Sequence, residues 1–96
     1  MSYRVIYLDT ALEDIAEIKL YRNEHSGTSW GKLIRMFKKS IKNLEMFPNI
    51  GTIYKNYRYL ECDDYLIYYI VNERKRTVSV ARFLHNRLDI MRGFIS

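Results

Sequence analysis

Ninety-six residues, 48% of them hydrophobic and 28% charged, with a formal net charge of +5, describe one ordinary globular domain with room for a single small core. They exclude a disordered chain, and the longest apolar run, Tyr65 to Val71, is far too short to span a membrane. The lone cysteine, Cys62, rules out an internal disulfide and makes a reducing cytoplasm the expected setting.

The opening MSYRVIYLD turns from apolar to acidic at once and does not read as a signal peptide. Tyr3 to Leu8 is rich in β-formers and predicts a first strand. Thr10-Ala-Leu-Glu13 has the form of a capping box and predicts the start of a helix, with Ala11, Ile15, Ile18 and Tyr21 on one stripe and Asp14 and Glu17 beside it. Asn23 to Thr28 breaks that helix, with Gly27 as the turn residue and His25 expected in solvent. A second helix places Trp30, Leu33, Phe37, Ile41 and Leu44 at helical spacing, and Phe47-Pro48-Asn49-Ile50-Gly51 stops it.

From there the period falls from 3.6 to 2. Ile53 to Leu60, Tyr65 to Val71 and Thr77 to Leu84 read as three strands, joined by connectors short enough to make consecutive strands antiparallel neighbours. Asn86 to Phe94 predicts a short last helix. The expected fold over residues 1–96 is therefore α+β, in the order β-α-α-β-β-β. A helical hairpin should pack on one face of an antiparallel sheet, leaving the other face largely open. Nine tyrosines, most of them in the predicted strands, give that sheet an aromatic character.

Charge is unevenly spread. Residues 28–60 carry Lys32, Arg35, Lys38, Lys39, Lys42, Lys55 and Arg58 against the single acid Glu45, so the cationic excess lies on the second helix and the strand after it. Such a patch suits a nucleic acid or an acidic protein segment, and it equally suits a plain solvated helix face. Lys38, Lys39, Lys42, Lys55, Arg58 and Arg87 are the candidate binding residues for nucleic acid or for an acidic partner.

Several pieces then occur in a telling order: the first strand followed by Ala11-Leu-Glu-Asp-Ile15; Leu44-x-x-Phe47-Pro48-x-x-Gly51; Arg58-x-Leu60; Tyr65-x-Ile67-x-Tyr69; and Arg82-x-Leu84-His85-x-Arg87-x-Asp89. In this order the chain resembles the RelE/ParE superfamily of bacterial toxins, the toxic halves of type II toxin–antitoxin pairs. The resemblance implies a cognate antitoxin whose C-terminal segment wraps the toxin, and no cofactor or metal is expected. An acidic partner of this kind should dock by amphipathic contacts on the helical hairpin or the open sheet face, with carboxylates against the lysine-rich second helix. It also implies one of two activities. RelE-like members cut messenger RNA, commonly on the ribosome; ParE-like members poison DNA gyrase by binding it.

Metal-free RNA cleavage needs a base, an acid and cations around the phosphorane. Arg58, Arg82 and His85 are the candidate catalytic set under the RelE-like reading. Each also has a plainer role. Arg82, in register with Val78, Val80 and Leu84, is placed to pair with Asp14 or Glu17 of the first helix. Parity puts His85 on the face opposite Arg82 in an unbroken strand. His85 before Asn86 also fits a lead into a helix cap. Cys62, in a turn with acids, does not fit a nucleophile. The ending Leu84-His85-x-Arg87-x-Asp89-Ile90 has no tyrosine after it and looks more like ParE, so gyrase inhibition is the preferred expectation. An mRNA endoribonuclease is the alternative, and a non-toxic basic RNA-binding module is the third.

Overall fold

The computed structural model describes residues 2–24 and 27–86. The short helix expected from Asn86 to Phe94 lies, beyond Asn86 itself, outside them, as do His25, Arg87 and Asp89. The described chain runs β1 (Arg4–Tyr7), α1 (Asp9–Glu24), α2 (Trp30–Asn43), β2 (Thr52–Tyr54), β3 (Tyr57–Cys62), β4 (Tyr65–Asn72) and β5 (Thr77–His85). The strands form one sheet in the order β1-β5-β4-β3-β2, and the two helices cover one of its faces. The α+β architecture with a helical hairpin on a sheet is the one read from the sequence.

Two features of the sheet differ from that reading. The run from Ile53 to Leu60 is a hairpin of two strands, turning at Lys55 and Asn56 with Tyr54 opposite Tyr57. Lys55 takes a left-handed φ of 55° there, so the turn forms without the glycine that usually marks one. And β1 pairs with β5 in parallel, making the sheet mixed. Short connectors fix the direction only of strands consecutive in the chain, and β1 reaches β5 only after every other element.

α2 holds the core from above. Ser29 caps it, its hydroxyl accepting from the Lys32 N–H, and Leu33, Phe37, Ile41 and Leu44 are all buried, as their spacing predicts. Phe37 sits 4.9 Å from the Phe83 ring and meets Tyr65 edge-on at 5.7 Å. α1 is less regular. It has already begun at Asp9, with Leu8 O accepting from the amides of Ala11 and Leu12, so Thr10 lies inside the helix and does not cap it. Its inward stripe is Ala11, Asp14, Ile18 and Arg22, two apolar and two charged side chains, while Tyr21 is half exposed.

The opposite sheet face is not open at its centre. Leu66, Tyr68 and Leu84 are each at most 3% exposed, and Tyr54, Tyr57 and Tyr59 close around Tyr68 with ring centroids 5.5–6.2 Å away. The tyrosines of β2 and β3 fold over β4 in place of a second helical layer, so Tyr65 to Tyr69 are buried on both faces.

The connection from α2 to β2 is pinned from below. The Tyr69 hydroxyl donates to Pro48 O at 2.8 Å and accepts from Gly51 N at 2.9 Å, both in the interior. A side chain at position 51 would come within 2.5 Å of that hydroxyl, which is why glycine stands there. Replacing the hydroxyl by hydrogen in Tyr69→Phe strands two buried backbone groups, and a loss of about 1–3 kcal/mol in urea unfolding is expected. Burial also raises the phenols of Tyr65, Tyr68 and Tyr69 and the thiol of Cys62 above their ordinary values. The folded chain thus holds these protons more tightly than the unfolded chain. Their contribution is fully present below the unfolded values and is lost as pH rises through the folded ones. Urea midpoints should fall first above pH about 8.5, as the thiol ionises, and further above about 10, as the phenols do.

Candidate functional site

β5 is nine residues long and its parallel neighbour β1 only four, so the outer edge of β5 beyond Val80 has no strand beside it. The residue before α1 fills the vacancy with its backbone, and α1 itself with side chains. Leu8 N donates to Val80 O at 3.0 Å; the Thr10 hydroxyl donates to Ala81 O at 2.7 Å; and Phe83 N donates to Asp14 Oδ2 at 3.0 Å. Asp14 also receives Arg82 in a two-pronged pair, from Nε at 2.7 Å and Nη2 at 3.0 Å. The pairing foreseen for Arg82 is therefore formed, with Asp14 as the partner.

The geometric reason differs from simple alternation. A bulge places Tyr68 opposite Arg82 and Tyr69 opposite Val80, leaving Ala81 as the extra residue. Val78 and Val80 face the helices; past the bulge Phe83 does so, while Leu84 packs with Leu66 and Tyr68 on the far face. Arg82 shares the far face with Leu84 at its Cα, and its side chain wraps the open strand edge to reach α1. His85, three residues on, pairs with Tyr65 on the helix-covered face, its ring 5.5 Å from the tyrosine ring. The bulge precedes both residues and leaves them on opposite faces.

Arg58 stands elsewhere. It pairs with Tyr69 on β4 and with Ile53 on β2, and its Nη1 donates to Asn49 O at 3.1 Å and Gly51 O at 2.9 Å. From the Tyr69 level to the Tyr65 level of His85 is four residues of strand, about 13 Å. Arg58, Arg82 and His85 thus attach to three different surroundings: a loop, a helix and an aromatic core. Lys55 joins Arg58 in lining a shallow depression of about 260 Å³, together with Asn49, Ile53, Asn56 and Glu73. The Lys55 ammonium lies 5.6 Å from the Tyr54 ring centroid. Cys62 is buried, and burial raises its thiol, as a non-nucleophilic residue requires.

Lys38, Lys39 and Lys42 are exposed on α2 with Lys32 and Arg35. Lys38 alone of these borders a second feature, an apolar groove of about 270 Å³ lined by Tyr7, Leu12, Ile15, Ile34, Phe37, Ile41 and Phe83. The sequence reading passed over this groove. Its readable signs were Leu12 and Ile34, apolar residues off the core stripes of their helices; Leu12 stays half exposed. Arg22 was also passed over. Its side chain is only 7% exposed, 3.9 Å from an Asp63 oxygen and 4.0 Å from an Asp64 oxygen, and over the Tyr65 ring. The Asp63-Asp64 doublet was the sign of a buried cation nearby.

The sequence model of the family described as ParE toxin of type II toxin–antitoxin system, parDE, matches residues 5–90. Among solved structures, a chain of the toxin–antitoxin complex RelBE2 from Mycobacterium tuberculosis superposes with a TM-score of 0.67 at 17% identity, covering 88% of this chain and 99% of that one. A mutant of the E. coli toxin RelE in the free state superposes with a TM-score of 0.70 at 15% identity, covering 96% and 92%. Likeness at these identities is one of fold. No curated protein matches the sequence significantly.

Removing the Asp14 carboxylate strands Arg82 and the Phe83 amide together. Asp14→Ala should cost about 3 kcal/mol, near the lower end for breaking a buried charge pair because Arg82 keeps a quarter of its side chain exposed. A double-mutant cycle with Arg82→Ala, followed by urea unfolding, should return a coupling of about 1.5–3 kcal/mol, the range for charged hydrogen bonds. Additive losses would show that the pair is ornamental.

Proposed function

The chain belongs to the ParE toxin family of type II toxin–antitoxin systems, and from that membership we propose that it is a growth inhibitor that acts by binding DNA gyrase, with no catalytic residue of its own. The observation that carries this reading is the commitment of the arginines. Cleavage of RNA through its 2′-hydroxyl needs cations and a proton-transfer group aimed at one phosphate. Here the Arg82 fork is taken by Asp14, Arg58 Nη1 is taken by the loop carbonyls of Asn49 and Gly51, and His85 stands against Tyr65. Arg58 and Arg82 act as struts, which leaves exposed surface as the means of action.

A cognate antitoxin is part of the proposal. The groove between α1 and α2 suits the apolar side of an amphipathic helix, with Lys38 at its border to meet a carboxylate. One of the solved structures of like fold described above is a toxin–antitoxin complex, which supports such a partner. Among the described residues no helix is long and apolar enough to cross a membrane, in keeping with the cytoplasmic setting that a gyrase inhibitor requires.

The RelE-like reading, a ribosome-dependent mRNA endoribonuclease, has one observation in its favour: the two solved structures above are of the E. coli toxin RelE and of the RelBE2 complex. Two measurements separate the readings. Purified protein added to a gyrase supercoiling reaction should stop the introduction of supercoils, and normal supercoiling at large molar excess would remove the gyrase reading. Primer extension on RNA from induced cells should show no breaks in codon register; their appearance would move the assignment to the nuclease.

A further inference from the structure

We propose that the outer face of α2 is a binding surface for the phosphate backbone of duplex DNA, with Lys32, Arg35, Lys38, Lys39 and Lys42 as its contacts. The inference does not depend on which target the protein inhibits. At 3.6 residues per turn the five cations fall within about 120° of arc, centred opposite Leu33, Phe37 and Ile41. All five are exposed. α2 contains no acidic residue from Trp30 to Asn43, and none of the five forms an ion pair among the described residues.

Such a face is set against itself. Lys32 with Arg35, Arg35 with Lys38 and with Lys39, and both of these with Lys42 stand three or four residues apart, the spacing at which like charges on a helix repel. Lys32, in the first turn, also opposes the helix dipole. The buried side of α2 holds the helix in place regardless, so the repulsion persists until an anion relieves it.

The chemistry of the intervening positions selects the anion. A protein partner is gripped through apolar or aromatic anchors, and lysine is depleted from such interfaces. Between the cations this face presents Gly31, with Asn43 at its margin, and the apolar groove that suits a protein lies to one side, bordered by Lys38 alone. A phosphate backbone, by contrast, needs cations and nothing else. Single strands are held by stacking on aromatic rings, and the face has none, which favours a duplex. The stripe from Lys32 to Lys42 is about 15 Å long, enough to follow about four phosphates of one strand.

The test is fluorescence anisotropy of a labelled random-sequence DNA duplex with the purified full chain, over salt from about 50 to 200 mM. Wild-type protein should bind, with log K falling against log salt at a slope of about −3.6, the value for the four phosphates the stripe can follow. The double variant Lys39→Gln/Lys42→Gln, clear of both core and groove, should bind more weakly and with a slope shallower by about 1.8. A control of equal charge loss in the β4–β5 turn, Arg74→Gln/Lys75→Gln, should leave the slope nearly unchanged. Matching urea midpoints confirm that each variant is folded. The proposal is overturned by absence of wild-type binding at the lowest salt, or by equal losses in the two variants, which would mean net charge and not this face. It is also overturned if polyglutamate or single-stranded RNA competes better than unlabelled duplex.

Discussion

The unpartnered edge of β5 beyond Val80 is the constraint around which the molecule is arranged. A strand edge left without a neighbour must find donors and acceptors elsewhere or face water. Here Thr10 and Asp14 of α1 reach the edge and replace the missing ladder. The bulge at Ala81 belongs to the same solution. It presents the Ala81 carbonyl to Thr10 and shifts the alternation, so that Phe83 meets Phe37 under the helices while Leu84 closes the far face with Leu66 and Tyr68. Without the shift, Phe83 would face outward and the main cluster would lose its largest contribution from β5. One carboxylate thus ties α1 to the strand edge and takes up Arg82, while the bulge sets the phase of the last strand.

The second fixed point is the loop between α2 and β2. Tyr69 and Arg58 together hold the backbone of Pro48, Asn49 and Gly51 through four hydrogen bonds. This sets a rigid border to the depression that Lys55 and Arg58 line. It also shows how the cations divide. Arg22, Arg58 and Arg82 have their guanidinium groups drawn toward carboxylates or carbonyls, the use to which a planar fork is suited. The four lysines and one arginine of α2 are exposed and without ion pairs among the described residues. Position in the fold, and not residue type, separates structural charge from surface charge, since Arg35 is as exposed as the lysines beside it.

What could be read from the sequence follows the range of the interactions concerned. α2 was legible because its core stripe and cap are local, and the meander from β3 to β5 because short connectors leave no freedom of direction. The parallel seating of β1 was not, since it depends on an element seventy residues away. The Lys55–Asn56 turn was hidden because alternation continues through it and lysine does the work of glycine. Thr10 looked like a cap because its spacing to Glu13 is right, yet its hydroxyl is drawn to Ala81 by tertiary structure. α1 as a whole read poorly because it buries Asp14 and Arg22 where periodicity expects apolar residues. The Arg82 pairing was legible as chemistry, a cation needing an acid on the neighbouring helix. Strand parity supplied the wrong geometry for it, since only the bulge fixes its side. The cationic face of α2 could be found by counting charges; the groove beside it needed two helices to be seen together.

The groove and the cationic face meet at Lys38, and this adjacency bears on how an inhibitor of this construction is restrained. The groove asks for apolar area and the face asks for negative charge. A partner supplying both, an amphipathic helix with carboxylates along one flank, would seat its apolar side over Phe37 and Ile41 and bring its acids up to Lys38 and onward. Such a partner does not need to cover the whole cationic face to silence it. Acids placed within a Debye length, about 8 Å at physiological salt, lower the potential felt by any second polyanion approaching the face. Antitoxin and polyanion would then be coupled through charge while touching largely different atoms. A partner lacking the acidic flank would occupy the groove and leave the stripe as attractive to phosphate as before. On these two proposals, neutralisation would follow from the charge of what fills the groove as much as from the filling itself.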